Sequence, residues 1–164
     1  MILSTKGRYS VMAMVDLATQ SAGKPVGLAA IAERQEIPLA YLEQIFARLK
    51  KAGIVKSVRG PGGGYTLGKP ANEMSIAEIM FAADEPMKMT RCESDSHNGC
   101  MATKARCLTH DLWEGLTAQI RLYLGSIMLA DVCERRVQQK FPRAHATPEL
   151  MMFAKMLDDK RKNV

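Results

Sequence analysis

Residues 37–67 read IPLAYLEQIFARLKKAGIVKSVRGPGGGYTL, and this stretch decides the fold. Pro38 suits the start of a helix and Gly53 suits its end, so the segment between them is predicted to be helical. Residues 54–58 and 65–67 then read as two short strands that flank a glycine-rich turn, which predicts an antiparallel hairpin. We expect the buried face of the helix to be formed by Leu39, Leu42, Phe46 and Leu49.

Two further helices are predicted before this stretch. The first spans about residues 7–22, and the second spans about 28–34 with residues 35–38 as a tight turn. Helix, turn, helix and hairpin in this order describe a winged helix-turn-helix. The inward-facing residues of the first helix are predicted to be Val11, Met14, Val15 and Ala18, and those of the second Leu28, Ile31 and Ala32.

The charge distribution agrees with a DNA-binding role for this part of the chain. The net charge is +6, and residues 1–70 contain ten basic against four acidic residues, whereas residues 71–164 contain thirteen of each. An excess of this kind indicates a polyanionic partner, although a solvated basic face is the usual interpretation of charge alone. The coincidence of the basic charge with the winged-helix pattern therefore predicts binding to double-stranded DNA.

The exposed face of the third helix and the hairpin supply the candidate DNA contacts. Arg48 can donate two hydrogen bonds to guanine, Gln44 suits adenine, and Glu43 can only accept, which favours a cytosine amino group. The alternative role for Glu43 is an ion pair with a basic residue on the same helix face. The glycines let the hairpin tip approach DNA so that Arg59 can enter a minor groove. The predicted DNA-contacting residues are Tyr41, Glu43, Gln44, Arg48, Lys51, Ser57, Arg59 and Gly60.

A nucleotide-binding phosphate loop is the rival interpretation of the glycines. Such a loop leads from a strand into a helix and carries Lys-Ser or Lys-Thr, and neither feature follows Gly64. The rival is therefore set aside.

The second half of the chain has a different organisation. Ser75 is predicted to cap a helix that ends near Ala83, and residues 84–109 show no periodicity. A long helix is predicted from about residue 111 to 139, and its apolar spacing favours a helix-helix seam, with packing on its own domain as the alternative. The seam positions are Trp113, Leu116, Ile120, Tyr123, Ile127 and Ala130.

Three cysteines and a histidine lie close together in the aperiodic segment. Cys92, Cys100 and Cys107 fall within sixteen residues, and His110 follows. Three thiolates and one imidazole can hold an iron–sulfur cluster or a zinc ion, and thiol redox chemistry is a third interpretation. A Cys107–His110 nucleophile and base would make an enzyme, but no third group accompanies them, so no enzymatic activity is predicted. Cys133 lies apart and is interpreted as a packing residue.

Several motifs in order resemble the IscR-like family of iron–sulfur cluster transcription regulators. They are LSTKGRY at 3–9, YLEQ at 41–44, VRGPGGGY at 58–65 and CLTH at 107–110, so the resemblance covers about residues 1–135. The resemblance implies a homodimer joined through the long helix and control of cluster-assembly genes. It implies a 2Fe-2S cluster on Cys92, Cys100, Cys107 and His110, and DNA reading by Tyr41, Glu43, Gln44 and Arg59.

The cysteine gaps are longer here than is usual in that family. A 4Fe-4S cluster with a different fourth ligand, as in related nitric-oxide- or iron-sensing regulators, is therefore the nearest alternative. A DNA-binding protein stabilised by zinc and without a sensing role is the other.

Together these patterns predict a mainly α protein, a winged helix-turn-helix with a two-stranded wing and a long C-terminal dimerisation helix. The predicted boundaries are 1–84 for the DNA-binding domain, 85–110 for a cluster-binding loop, 111–140 for the dimerisation helix and 141–164 for a tail. No apolar run approaches the roughly 18 to 20 residues that cross a bilayer, so a cytoplasmic protein without a membrane partner is expected. Such a regulator can act as repressor or activator.

Overall fold

The computed structural model describes residues 4–85, 87, 89, 99–140 and 152. The helices within these residues are α1 (Thr5–Gln20), α2 (Leu28–Gln35), α3 (Leu39–Lys51), α4 (Ile76–Ala82), α5 (His110–Ser126), α6 (Leu129–Cys133) and α7 (Val137–Lys140). The strands are β1 (Val55–Val58) and β2 (Gly64–Leu67), and a short 3-10 turn, Ala71–Glu73, precedes α4. The mainly α fold with a two-stranded wing is thereby confirmed. Residues 1–134 form one compact unit, and residues 135–164, which include α7, form a second.

The core of the first unit is formed by α1, α2, α3, α4 and α6. Leu42, Phe46 and Leu49 of α3 are fully buried as predicted, but Leu39 is 41% exposed, so its assignment to the buried face is wrong. Leu39 is the first residue of α3, where the chain enters from the surface, and Ile45 completes the buried stripe instead.

The buried face of α1 also differs from the prediction. Met14 is buried, but Val11, Val15 and Ala18 are only half-buried, and the core side includes Ser10 and Asp16. Asp16 accepts hydrogen bonds from Arg34 Nε at 3.0 Å, Arg34 Nη2 at 2.6 Å and Gln35 Nε2 at 2.9 Å. A carboxylate with three donors can be buried, because its lost hydration is replaced. Apolar periodicity alone therefore misplaced this face.

The wing is attached to the helices at two places. β1 and β2 are antiparallel, with Val55 opposite Leu67 and Val58 opposite Gly64. Val26, just before α2, exchanges two backbone hydrogen bonds of 2.9 and 2.8 Å with Tyr65. The Tyr65 ring also meets Phe46 of α3 edge-on, with ring centroids 4.9 Å apart. The hairpin is thus held in a fixed position beside α3.

Ser75 caps α4 as predicted, in a reciprocal arrangement with Glu78. The Ser75 hydroxyl accepts from Glu78 N at 3.2 Å, and the Glu78 carboxylate accepts from Ser75 N at 2.8 Å. The hydrogen bond from Lys69, and to a lesser extent the one from Ser75 N, lowers the pKa of Glu78.

The helix predicted over residues 111–139 is not continuous. α5 ends at Ser126. The chain then pairs with the start of α4: Ile76 N donates to Ile127 O at 2.9 Å, and Leu129 N donates to Met74 O at 2.8 Å. The Asp131 carboxylate accepts from Met128 N at 2.9 Å and starts α6. Because Ile127 and Ala130 are buried in the first unit, the predicted seam does not extend past α5.

Candidate nucleic-acid interface and metal centre

The exposed face of α3 carries most of the predicted DNA contacts. Glu43, Gln44 and Lys51 are exposed, on the side of the helix opposite the buried stripe. Within the described part of the chain Glu43 makes no ion pair, so its alternative role as a partner for a neighbouring basic residue receives no support. Its exposed carboxylate can therefore accept a hydrogen bond from a base in a DNA major groove.

Tyr41 and Arg48 lie at the side of α3 and contact other helices. The Tyr41 ring is half-buried and meets Tyr9 of α1 edge-on, with centroids 5.9 Å apart. Arg48 Nη1 donates to Ala83 O at 3.3 Å and lies 3.5 Å from Asp84 Oδ2. Arg48 thus joins α3 to the end of α4, while its side chain remains 46% exposed.

The tip of the wing presents a cation on a tight turn. Arg59 and Gly60 are exposed, Gly63 N donates to Gly60 O at 2.9 Å, and Gly60 and Gly62 have φ of 106° and 73°. Side chains rarely adopt such φ values, so glycine permits this turn. Ser57 lies opposite Tyr65 in the sheet and is half-buried. Three cations of α3 and the wing are exposed and are therefore candidates for DNA contact: Lys51, Lys56 and Arg59.

The junction between α4 and the cysteine-bearing segment is tied to both α1 and α3. Asp84 has a φ of 60°, and Lys6 of α1 donates to its backbone carbonyl and lies 3.4 Å from its carboxylate. The buried Glu85 carboxylate accepts from Ser4 N at 3.2 Å and from the Ser4 hydroxyl, at the N-cap of α1. Gly7 makes room for this carboxylate, because an added Cβ would lie 2.9 Å from Glu85 Cγ. With the Arg48 contacts, this junction touches the helix that is predicted to read DNA.

The segment before α5 folds back on itself and brings two cysteines to one place. Gly99 N donates to Lys104 O at 3.0 Å, Met101 N donates to Ala105 O at 3.1 Å, and Lys104 has a φ of 64°. An added Cβ at Gly99 would overlap the carbonyl of Ala105, so glycine allows the two sides of this turn to meet. Cys100 and Cys107 therefore lie on the two arms of a closed turn.

A pocket of about 330 Å³ lies between this turn and the start of α5. Cys100 Sγ is 3.0 Å from Nδ1 of His110, which is only 5% exposed, and Cys107 Sγ is 3.5 Å from Thr109 Oγ1. The pocket is lined by Met89, Cys100, Met101, Cys107, Thr109, His110 and Trp113. Three of the four predicted metal ligands thus share one pocket, whereas Cys92 lies outside the described residues.

The chemistry of this pocket fits a soft metal centre. Thiolate sulfur and imidazole nitrogen bind iron–sulfur clusters and zinc, and the apolar walls limit access of water. A second donor set overlaps it on α5, because side-chain ligand atoms of His110, Asp111 and Glu114 lie within 4.8 Å of one another. Carboxylates favour harder ions such as Mg²⁺ or Mn²⁺. The two sets share the histidine.

Sequence reasoning missed Glu114, whose Oε2 lies 3.3 Å from His110 Nε2. The spacing of four residues on a predicted helix was the available signal, because such residues lie on one face. Cys133 behaves as expected for a packing residue: burial raises the pKa of its thiol, which disfavours the reactive and metal-binding thiolate.

The sequence pattern of the Rrf2 family, described as iron-dependent transcriptional regulators, matches residues 3–135. The regulator IscR of Photorhabdus laumondii is 53% identical over 80% of this chain and 79% of its own length, and IscR of Serratia proteamaculans is 51% identical over the same shares. Both are named as HTH-type transcriptional regulators.

Solved structures resemble the fold over a similar span. The T. potens IscR structure has a TM-score of 0.66 with 37% identity, covering 83% of this chain and 88% of that one. The structure of CymR, the global cysteine regulator of B. subtilis, has a TM-score of 0.66 with 30% identity, covering 82% of this chain and 98% of that one. No helix in the described part of the chain is long and apolar enough to span a membrane.

Proposed function

Because the chain belongs to the Rrf2 family of DNA-binding transcription regulators, we propose that it is a homodimer whose choice of operators is controlled by an iron–sulfur cluster. Family membership makes it a regulator rather than an enzyme. The fold alone does not select the signal, since the similar structures include both an IscR and a global cysteine regulator. The signal must therefore be argued from the pocket.

The observation that carries the proposal is the pairing of Cys100 Sγ with His110 Nδ1 at 3.0 Å in a pocket that also holds Cys107. Two atoms at this separation can serve as ligands of one metal centre. We assign Cys92 as the third thiolate, because it lies on the same aperiodic segment. Three thiolates with one imidazole suit a 2Fe-2S cluster, and a 4Fe-4S cluster is the alternative if His110 is not a ligand. When bound, the cluster supplies a redox-sensitive centre whose presence depends on iron.

The DNA is contacted through α3 and the wing. Gln44 and Glu43 read base edges in a major groove, Lys51 and Tyr41 contact phosphates, and Arg59 enters the adjacent minor groove. Glu43 acts as a selectivity filter, because a carboxylate without a matching amino group is repelled by the DNA backbone. Ser57 and Gly60 support the wing contact, and Arg48 acts from the side of α3.

The route from the cluster to DNA passes through the junction of Asp84 and Glu85. The predicted cluster-binding segment, 85–110, begins at this junction. The junction contacts Arg48 of α3, and it contacts Ser4 and Lys6 at the start of α1. With a cluster held by Cys100, Cys107 and His110, the junction would be held in one position, and α3 would favour one of two states with different operator affinities. Control of this kind requires two such states, and each must be favoured by one form of the protein.

The dimer forms through α5. Leu112 and Tyr123 are eleven residues apart, about three helical turns, so they lie on one face of α5, and they are 63% and 43% exposed. Exposed apolar side chains in a row favour burial against a partner helix. A dimer also places two α3 helices on one operator, and the two half-sites of a pseudo-palindromic operator require this. The proposed targets are cluster-assembly genes, at which the protein acts as repressor or activator in the cytoplasm.

Anaerobic purification followed by assays for iron, acid-labile sulfide and zinc tests the cluster directly. The proposal expects iron and sulfide in equal amounts with visible absorption, and their loss in Cys100→Ser and Cys107→Ser. Cys133→Ser is the matched control and should retain the cluster. A colourless protein with one zinc per chain would contradict the proposal and favour a zinc-stabilised regulator.

A further inference from the structure

The two ring nitrogens of His110 face chemically different groups. Nδ1 lies 3.0 Å from Cys100 Sγ, inside the cysteine pocket, whereas Nε2 lies 3.3 Å from Oε2 of Glu114. His110 is the first residue of α5 and Glu114 is one turn further along the helix. The imidazole is buried, while the Glu114 side chain is 44% exposed. The ring therefore stands between the metal-binding pocket and a carboxylate at the surface.

Only one nitrogen of a neutral imidazole carries a proton, and only the other can bind a metal. An ionised carboxylate accepts hydrogen bonds but cannot donate one, so it stabilises the form of the ring that carries its proton on the facing nitrogen. With the proton on Nε2, the lone pair of Nδ1 points toward Cys100. The 3.3 Å approach of Glu114 Oε2 to Nε2 is a charge contact that lacks hydrogen-bond geometry, and a rotation of the exposed Glu114 side chain would complete the hydrogen bond. Carboxylates orient metal-binding histidines through hydrogen bonds of this kind.

We propose that Glu114 is a positioning residue that holds His110 in the tautomer protonated on Nε2 and so presents Nδ1 as the fourth ligand of the centre. The inference rests on the proposed function, because it takes the cysteine pocket as the metal centre. It assigns a residue to that centre outside the three cysteines and the histidine, and it specifies the ligating atom.

Asp111 provides a matched control. It also lies on the first turn of α5 and belongs to the same group of ligand atoms within 4.8 Å, but among the described residues only Glu114 forms an ion-pair contact with His110 Nε2. A general effect of negative charge near the ring would be lost equally in Asp111→Ala and Glu114→Ala. A positioning effect would be lost in Glu114→Ala, and restored in Glu114→Gln because the amide oxygen can still accept from Nε2.

The first measurement uses metal-free, full-length protein and needs no cluster. Nitrogen-15 NMR at a pH where the imidazole is neutral reports which nitrogen is protonated, and the His110 signals are identified by their absence in His110→Asn. The expected result is the Nε2-protonated form in the parent protein, in Glu114→Gln and in Asp111→Ala, with a mixture of both forms in Glu114→Ala. A ring protonated on Nδ1 in the parent protein, or a tautomer ratio unaffected by Glu114→Ala, would overturn the proposal.

The second measurement uses protein reconstituted anaerobically with ferrous iron and sulfide. Glu114→Ala should lose its cluster to a chelator roughly 10-fold to 100-fold faster than the parent protein, with an altered electron paramagnetic resonance spectrum after reduction, while Glu114→Gln and Asp111→Ala stay close to the parent. Equal loss rates and spectra in all four proteins would refute the role of Glu114.

If no variant and not even the parent protein takes up a cluster, the proposed function fails, whereas the tautomer result stands on its own. Binding of Mn²⁺ that is weakened alike by Asp111→Ala and Glu114→Ala, and unchanged by Cys100→Ser, would replace the positioning role by a hard-ion site.

Discussion

Gly64 is the glycine of the wing whose replacement should cost the most stability, although it is not at the tip. An added Cβ at Gly64 would lie 2.5 Å from Val26 C and 2.8 Å from Gly27 N, both backbone atoms. The clash can be relieved only by moving β2 away from residue 26, which breaks the two backbone hydrogen bonds between Val26 and Tyr65. Gly64→Ala therefore detaches the wing from the start of α2.

The magnitude follows from those two hydrogen bonds. Each contributes about 1 kcal/mol net, and residual crowding adds a fraction of that, so the free energy of unfolding should fall by about 2–3 kcal/mol. In a chain of this size each kcal/mol shifts Tm by about 2–4 °C, which gives a decrease of about 4–12 °C. Thermal unfolding followed by circular dichroism is the assay.

Gly27→Ala is the matched control, because an added Cβ at Gly27 has nothing within 4 Å and its φ is −72°. Its cost at the N-cap is partly offset by the lower entropy of the unfolded chain, so its Tm should stay within about 4 °C of the parent value. If Gly64→Ala unfolded at the same temperature as Gly27→Ala, the attachment of the wing at Val26 would be refuted as a source of stability.

Four further substitutions test the DNA-binding surface and the dimer. Glu43→Ala should relax discrimination at one base pair by about 1–3 kcal/mol without loss of stability, measured by competition among duplexes that differ at single positions; unchanged preferences would rule out the filter role. Arg59→Ala should weaken binding to every duplex and lower the slope of log affinity against log salt by about one, and an unaltered slope would mean that Arg59 does not approach the phosphates that border the minor groove. Arg48→Ala should reduce the ratio of operator affinities between cluster-loaded and cluster-free protein, measured by fluorescence anisotropy, because it severs α3 from the junction at Asp84; an unchanged ratio would exclude this route. Leu112→Lys should convert the dimer to a monomer in analytical ultracentrifugation, and a persistent dimer would place the interface elsewhere.

The winged helix-turn-helix was predictable because its local signals agree with one another. Pro38 and the apolar spacing set α3, and the glycine-rich turn set the hairpin, so each element could be identified from its own residues. Leu39 and the core side of α1 were misassigned because burial of end residues and of Asp16 depends on partners such as Arg34, which are distant in sequence.

The second half shows the same limit more strongly. The apolar spacing continues from α5 through Ile127 and Ala130. The helix nevertheless ends, because Ile127 and Leu129 form backbone hydrogen bonds with the start of α4. No local sequence pattern predicts that pairing. At the candidate metal centre the ligand types were identifiable from composition, whereas the closed turn at Gly99 and the approach of Glu114 to His110 depend on the folded backbone.

Control of operator choice by the cluster is the central claim, and paired selection experiments test it most directly. Random-sequence duplexes are selected anaerobically with cluster-loaded protein and, in parallel, with the cluster-free Cys107→Ser variant, and affinities for both selected sets are then measured at one fixed salt concentration. The account predicts two distinct sequence sets, with each form of the protein binding its own set at least about tenfold more tightly, a difference of about 1.4 kcal/mol. Identical sets bound with equal affinity by both forms, while the parent protein carries its cluster, would contradict it.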